Sequence, residues 1–139
     1  MALADALRPT LLRIGRELRR ETRGTGLSPE QVGILAAIKH SPGICVGELA
    51  AGERVSPAAM SKLVSRLERE GLVARTPSPV DRRRVGLTLT DEGQRALRRV
   101  RSRRTAWLAM RLRTLPPAQL AAIEAAVEPL SRLVRAEAT

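Results

Sequence analysis

Apolar residues recur along this chain with two different periods. Leu3, Leu7, Leu11, Ile14 and Leu18 stand three or four residues apart, the narrow seam of a helix that meets a partner helix rather than a broad core face. Pro9 falls inside that seam and is expected to kink the helix or delay its regular part; Gly24 to Gly26 are expected to end it. Ser28-Pro29-Glu30-Gln31 is a start signal with a capping box between Ser28 and Gln31. Val32, Leu35, Ala36 and Ile38 give this second helix a buried side, and Ser41-Pro42-Gly43 stops it near His40. A short third helix is predicted over Val46 to Gly52, with Leu49 and Ala50 inward, then a turn to Val55. A fourth helix has Ser56 as N-cap and Pro57 in its first position. Its apolar stripe is Met60, Leu63, Val64 and Leu67, and Gly71 follows Glu70 at once.

After Gly71 the period falls to two. Leu72 to Thr76 and Val85 to Leu89 read as short strands, joined by a turn-rich, basic tip from Pro77 to Arg84. Thr90-Asp91-Glu92 then opens a long helix, its acids placed where the helix dipole favours them. Leu97, Val100, Trp107, Leu108, Leu112 and Leu115 form its apolar side. Pro116-Pro117 ends it and opens a last helix with Leu120, Ile123, Val127, Leu130 and Val134, which Pro129 is expected to bend. The predicted fold is mainly α with a small β-hairpin wing: a winged helix-turn-helix over residues 28–89 and a helical dimerisation part at 1–24 and 90–137, within one domain, 1–139. Seams at both ends of the chain exceed what so small a core needs. They predict a dimer interface from Leu7, Leu11, Ile14, Leu115, Leu120, Ile123, Val127 and Leu130.

The outer face of the fourth helix carries the chemistry. At about 100° per residue, Ala58, Lys62, Ser65 and Arg69 point away from the apolar stripe, with Ser61 and Arg66 at the edges. Small residues, hydroxyls and cations without a central acid suit a DNA major groove. For the helix alone, an ordinary solvated face fits equally well; the hairpin that follows favours DNA, because its tip can reach phosphates or a minor groove beside the helix. The candidate contacts are Ser56, Ala58, Ser61, Lys62 and Ser65 on the helix and Asp81, Arg82, Arg83 and Arg84 on the wing. Asp81 is expected to pair with Arg82 or Arg83 and aim a guanidinium.

Composition narrows the field further. The chain has 25 Lys and Arg against 14 Asp and Glu, a formal net charge of +11, so a polyanionic partner is expected. Nearly all the cations are Arg, and part of that bias reflects an Arg- and Ala-rich coding style rather than phosphate binding. No apolar run approaches about 18 residues, so no membrane span is expected, and Met1 to Thr10 lacks a signal-peptide layout. A lone cysteine, Cys45, gives no internal disulfide framework and fits a reducing cytoplasm, so a cytoplasmic, nucleoid-associated protein is expected. Phe and Tyr are absent and Trp107 is the single aromatic residue, which argues against base-stacking single-strand binders. His40 has no second His or Cys pair beside it, so neither a metal nor another cofactor is expected. Catalytic constellations and phosphate-cradling glycine loops are lacking, so an enzyme is not expected.

Several runs together resemble the MarR family of bacterial transcriptional regulators. They are Gly47-Glu48-Leu49-Ala50, Arg66-Leu67-Glu68-Arg69-Glu70-Gly71-Leu72-Val73, Asp81-Arg82-Arg83, and Leu87-Thr88-Leu89-Thr90 with Gly93. The resemblance spans essentially the whole chain and implies a homodimeric winged-helix repressor or activator on a pseudo-palindromic double-stranded operator; a repressor is expected. Two recognition helices would then lie about 34–36 Å apart. It also implies a small effector, frequently phenolic or anionic, or an oxidant, that weakens DNA binding. Trp107 and Arg104 are the candidate effector pocket, although a lone Trp on an apolar stripe also fits core or interface. The family's oxidant sensors carry their cysteine in the N-terminal helix, where this chain has none; the role of Cys45 stays open.

Arg95, Arg98, Arg99, Arg101, Arg103 and Arg104 crowd one stretch of the long helix. They read either as an anion-binding cluster or as a solvated helix surface. The alternative function for the whole chain is a nonspecific basic nucleic-acid-binding protein without an effector.

Overall fold

The structure, a computed structural model, describes residues 1–78 and 81–135. Pro79 and Val80 of the expected hairpin tip, and residues 136 and 137 of the expected C-terminal part, lie outside the described residues. The elements are α1 (Ala2–Arg20), α2 (Pro29–His40), α3 (Val46–Glu53), α4 (Pro57–Arg69), β1 (Val73–Pro77), β2 (Val85–Leu89), α5 (Asp91–Leu112) and α6 (Pro117–Arg135). Packing divides the chain into one unit of residues 1–104 and a second from Thr105 onward. No helix among the described residues is long and apolar enough to cross a membrane.

In the first unit the core draws on five consecutive segments. Val32, Ile34, Leu35 and Ile38 come from α2, Leu49 and Ala50 from α3, Met60, Val64 and Leu67 from α4, Leu72, Val73 and Leu87 from the hairpin and its base, and Ala96, Leu97 and Val100 from α5. Leu67, fully enclosed, has the kind of site where truncation to Ala costs about 2–5 kcal/mol. α1 contributes no buried residue. It runs unbroken from Ala2 through Pro9, so its start is not delayed; the proline removes only its own N–H from the helical ladder. Its end is corrected to Arg20, four residues before the glycines. There the buried Thr22 turns both its N–H and its hydroxyl onto the carbonyl of Arg19, closing a turn that competes with further helix.

The capping box of α2 is present, with Gln31 N–H on Ser28 Oγ at 3.1 Å and Ser28 N–H on Gln31 Oε1 at 3.0 Å. α3 is one residue longer than the pattern suggested, and Arg54 caps it in the left-handed region at φ 56°. β1 and β2 pair antiparallel, Val73 opposite Leu89 and Pro77 opposite Val85. A third segment joins them: Gly43 N–H reaches Leu87 O and Leu87 N–H reaches Ile44 O, both at 2.8 Å. Gly86 permits this approach, since a Cβ there would lie 2.8 Å from the carbonyl oxygen of Gly43.

One junction ties α4, the hairpin and α5 together. Leu72 N–H closes onto Leu67 O at 3.0 Å, Thr90 N–H donates to Leu72 O at 3.1 Å, and Thr90 Oγ1 donates to Gly71 O at 2.6 Å while accepting from Gly93 N–H at 3.0 Å. Thr90 is thus both the N-cap of α5 and a clamp on the end of α4. Gly93 sits against this clamp, where a Cβ would overlap the carbonyl of Leu72. Glycine to alanine in an open helix stabilises by about 1 kcal/mol. Gly93→Ala is instead expected to destabilise by about 1–3 kcal/mol, read as a lower midpoint in thermal unfolding; an unchanged or higher midpoint would refute the close packing.

Candidate nucleic-acid interface

Burial of Met60, Val64 and Leu67 sets the rotation of α4. That rotation leaves Ser56, Ala58, Ser61, Lys62 and Arg69 exposed on the opposite side and Ser65 half-buried at its margin. Ser56 is the N-cap: its Oγ accepts from Ala59 N–H at 3.2 Å, and no acid occupies the first turn. The exposed helix start therefore offers N–H groups and a positive dipole end to an anion. Ser61, Lys62, Ser65, Glu68 and Arg69 line a shallow hollow of about 570 Å³ along this face.

Two residues that the sequence did not single out hold the margin of the face. Arg75, on β1, donates from Nη2 to Ser65 Oγ at 3.3 Å and pairs through Nε with Glu68 at 3.2 Å. The strand is thereby pinned to α4 on its outer side, and Ser65 gives part of its hydrogen-bonding capacity to that tie. No local pattern reveals a partner ten residues away. The strand's alternation, which turns Arg75 toward the helix, is the one available signal.

At the wing, Asp81 has a different task from the one expected. Its carboxylate accepts the backbone N–H of Arg83 at 3.0 Å, and its carbonyl accepts Arg84 N–H at 3.0 Å. It makes no ion pair with Arg82 or Arg83 among the described residues. Ser78 N–H donates to Arg84 O at 2.8 Å, so the acid folds the tip as an Asx turn and leaves both neighbouring guanidinium groups exposed. The physical reason is reach: a short carboxylate meets the N–H two residues on without ordering a long, flexible Arg side chain. Arg84 differs again, its guanidinium lying 3.6 Å from Glu48 of α3, whose carboxylate also receives the Cys45 thiol at 2.9 Å.

The other candidate residues belong to α1, α5, α6 and the turn between the last two. Arg104 donates from Nε to Leu18 O at 3.2 Å, and burial, then the charge of Arg19, lowers its pKa from the ordinary guanidinium value. In the second unit, Arg111 covers the Trp107 ring at 5.4 Å from its centroid. Leu7, Leu115 and Leu130 are half-buried, whereas Leu11, Ile14, Leu120, Ile123 and Val127 are exposed, Val127 at 59%. Among the described residues no group of His, Cys, Asp and Glu could hold a metal ion.

Residues 25–84, which span the helix-turn-helix and most of the hairpin, match the profile of the MarR family. Over 132 residues the chain is 30% identical to the HTH-type transcriptional regulator Mb0904 of Mycobacterium bovis, covering 95% of this chain and 92% of that protein. It is 35% identical over 88 residues to the HTH-type transcriptional repressor MdtR of Bacillus subtilis, 63% of this chain and 57% of that one. Among solved structures, the transcriptional regulator Tm0710 of Thermotoga maritima superposes with a TM-score of 0.80 at 27% identity, covering 98% and 96% of the two chains.

The Asx turn is open to a direct check. Asp81→Asn keeps an acceptor for Arg83 N–H and is expected to bind DNA within about twofold of the parent, whereas Asp81→Ala loses one hydrogen bond, about 0.5–1.5 kcal/mol, and should bind several-fold more weakly. Equal affinities for all three proteins, measured by anisotropy on one labelled duplex, would remove the acid from the wing's function.

Proposed function

The chain belongs to the MarR family of DNA-binding transcriptional regulators, and from that premise we propose that it acts as a homodimeric repressor on a pseudo-palindromic operator. The observation that carries the reading is the outer face of α4: acid-free at its centre, rotated outward by the burial of Met60, Val64 and Leu67, and braced against the wing through Arg75. Ala58, Ser61, Lys62 and Ser65 meet base edges in the major groove, while Ser56 holds the helix start against a phosphate. Arg82 and Arg83 extend from the wing to the neighbouring backbone or minor groove, where an exposed guanidinium is most effective. Arg84 positions the wing on α3 through Glu48.

Dimerisation supplies the second half-site. The seams of α1 and α6 leave Leu11, Ile14, Leu120 and Ile123 at 36–44% exposure, apolar surface that partner helices would cover. A two-fold axis through those helices repeats the recognition helix one DNA turn away. The repressor sense follows the kinship with MdtR: a dimer seated across a promoter excludes polymerase. A small anionic or aromatic effector that binds the DNA-free form more tightly releases it by linkage.

Anisotropy on labelled DNA from upstream of the chain's own gene, against a scrambled duplex over a salt series, tests this. A preference of roughly 10³-fold at physiological salt is expected. Lys62→Ala is expected to lose about 1–3 kcal/mol and relax preference at one base pair. Equal binding to both duplexes that collapses with salt would instead assign the +11 charge to nonspecific nucleic-acid binding. Ile123→Asp is expected to shift the sedimentation of the free protein from dimer to monomer and abolish tight operator binding. A parent that sediments as a monomer would refute the dimer.

A further inference from the structure

On α5, Arg95, Arg98, Arg99, Ser102 and Arg103 fall at i, i+3, i+4, i+7 and i+8, a stripe opposite the buried Ala96, Leu97 and Val100. Together with the turn at Gly24 and Thr25 they line a hollow of about 660 Å³ within the first unit. One wall is fixed: Arg103 donates from Nη1 to the carbonyl of Arg23 at 2.6 Å. Gly24 stands at φ +82° beneath it, and a Cβ there would meet Arg103 Nη1 at 3.3 Å. Arg95 is paired with Glu92, and Arg98, Arg99 and Arg103 have no carboxylate partner among the described residues.

Like charges three and four residues apart on a helix repel one another, so this stripe weakens the helix that carries it. A merely solvated basic surface would not need the hydrogen bond to Arg23 that holds Arg103 beside the turn. Four guanidinium groups along one open hollow, those of Arg98 and Arg99 without a carboxylate partner among the described residues, and the hydroxyls of Thr25 and Ser102 beside them, match the oxygens of clustered phosphoryl groups, which accept paired N–H donors.

We propose that this hollow is a binding site for a small multivalent phosphoryl anion, one bearing two or more linked phosphates. Little more than two turns of α5 bring all four guanidinium groups to one hollow, so a compact anion can meet several of them at once. Occupancy neutralises part of the +11 charge and relieves repulsion along α5, so the anion stabilises the fold and reduces the attraction of the chain for DNA. The site does not rest on the operator reading, and its binding titration is made without DNA.

Inorganic pyrophosphate is titrated into the full-length protein by calorimetry at a constant ionic strength of about 0.15 M, with citrate as the carboxylate comparison. Saturable binding of one pyrophosphate per chain is expected, with citrate weaker. Arg98→Gln/Arg99→Gln should weaken it about tenfold or more. The control Arg13→Gln/Arg101→Gln removes two charges outside the hollow and should leave it unchanged. Both replaced side chains of the first variant are exposed, so its melting temperature should match or exceed that of the free parent, which separates a lost site from a lost fold. Absence of saturation, or equal weakening in the control, would overturn the proposal by reducing it to net charge. Citrate binding as tight as pyrophosphate would overturn the phosphoryl assignment. A double variant whose only effect is a shallower salt dependence of DNA binding, by about two counterions, would reassign the arginines to the duplex.

Discussion

Where α4 ends, the wing begins and α5 starts, three backbone segments converge on the hydroxyl of Thr90. It donates to Gly71 O and accepts from Gly93 N–H, while its own N–H holds Leu72 O. Three backbone polar groups that the helix and strand ladders leave over are answered here. The direction of the recognition helix, the root of the wing and the departure of α5 are consequently not independent. The bare backbone of Gly93 lets the segments approach this closely, and any side chain there would force them apart. The spacing of α4 and the wing is thus set at their shared root and not by the residues that face outward.

The second fixing point is on the opposite side. Arg75 bridges β1 to Ser65 and Glu68, and Arg84 leans on Glu48 of α3. Both are partly or fully exposed ion pairs, each contributing little to stability. Their effect is on orientation: two flexible basic side chains near the interface are held in place before any partner arrives, so less conformational entropy is lost when one does. Arg82 and Arg83, by contrast, remain exposed beside a backbone turn that Asp81 has already ordered.

Much of this was legible in the sequence because it is local. Ser28 and Gln31, three residues apart, announce the start of α2, and the stripe of Met60, Leu63, Val64 and Leu67 defines both the inner and outer faces of α4. The long-range ties were not legible. Ile44 pairs with Leu87 through a single bridge, too brief to leave an alternating pattern. Arg75 reads as one more surface cation until the strand is folded against the helix. Asp81 departs from the expected ion pair because a short acid in a tight turn reaches the backbone before it reaches a neighbouring guanidinium. The end of α1 was misplaced for a similar reason: Gly24 and Gly26 do adopt positive φ, but Thr22 diverts the chain before they are reached.

Arg54 shows that the helix-turn-helix is not at its stability optimum. Its left-handed backbone at φ 56° is a conformation that costs a non-glycine residue about 1–2 kcal/mol, at a C-terminal cap where glycine is strain-free. The turn between α3 and α4 therefore holds unused thermodynamic headroom, separate from the groove-facing residues. A chain with such a reserve can accept a destabilising exchange on the outer face of α4 and recover the loss at one backbone position in the turn before it. Recognition in this scaffold can in that sense diverge without the fold having to change.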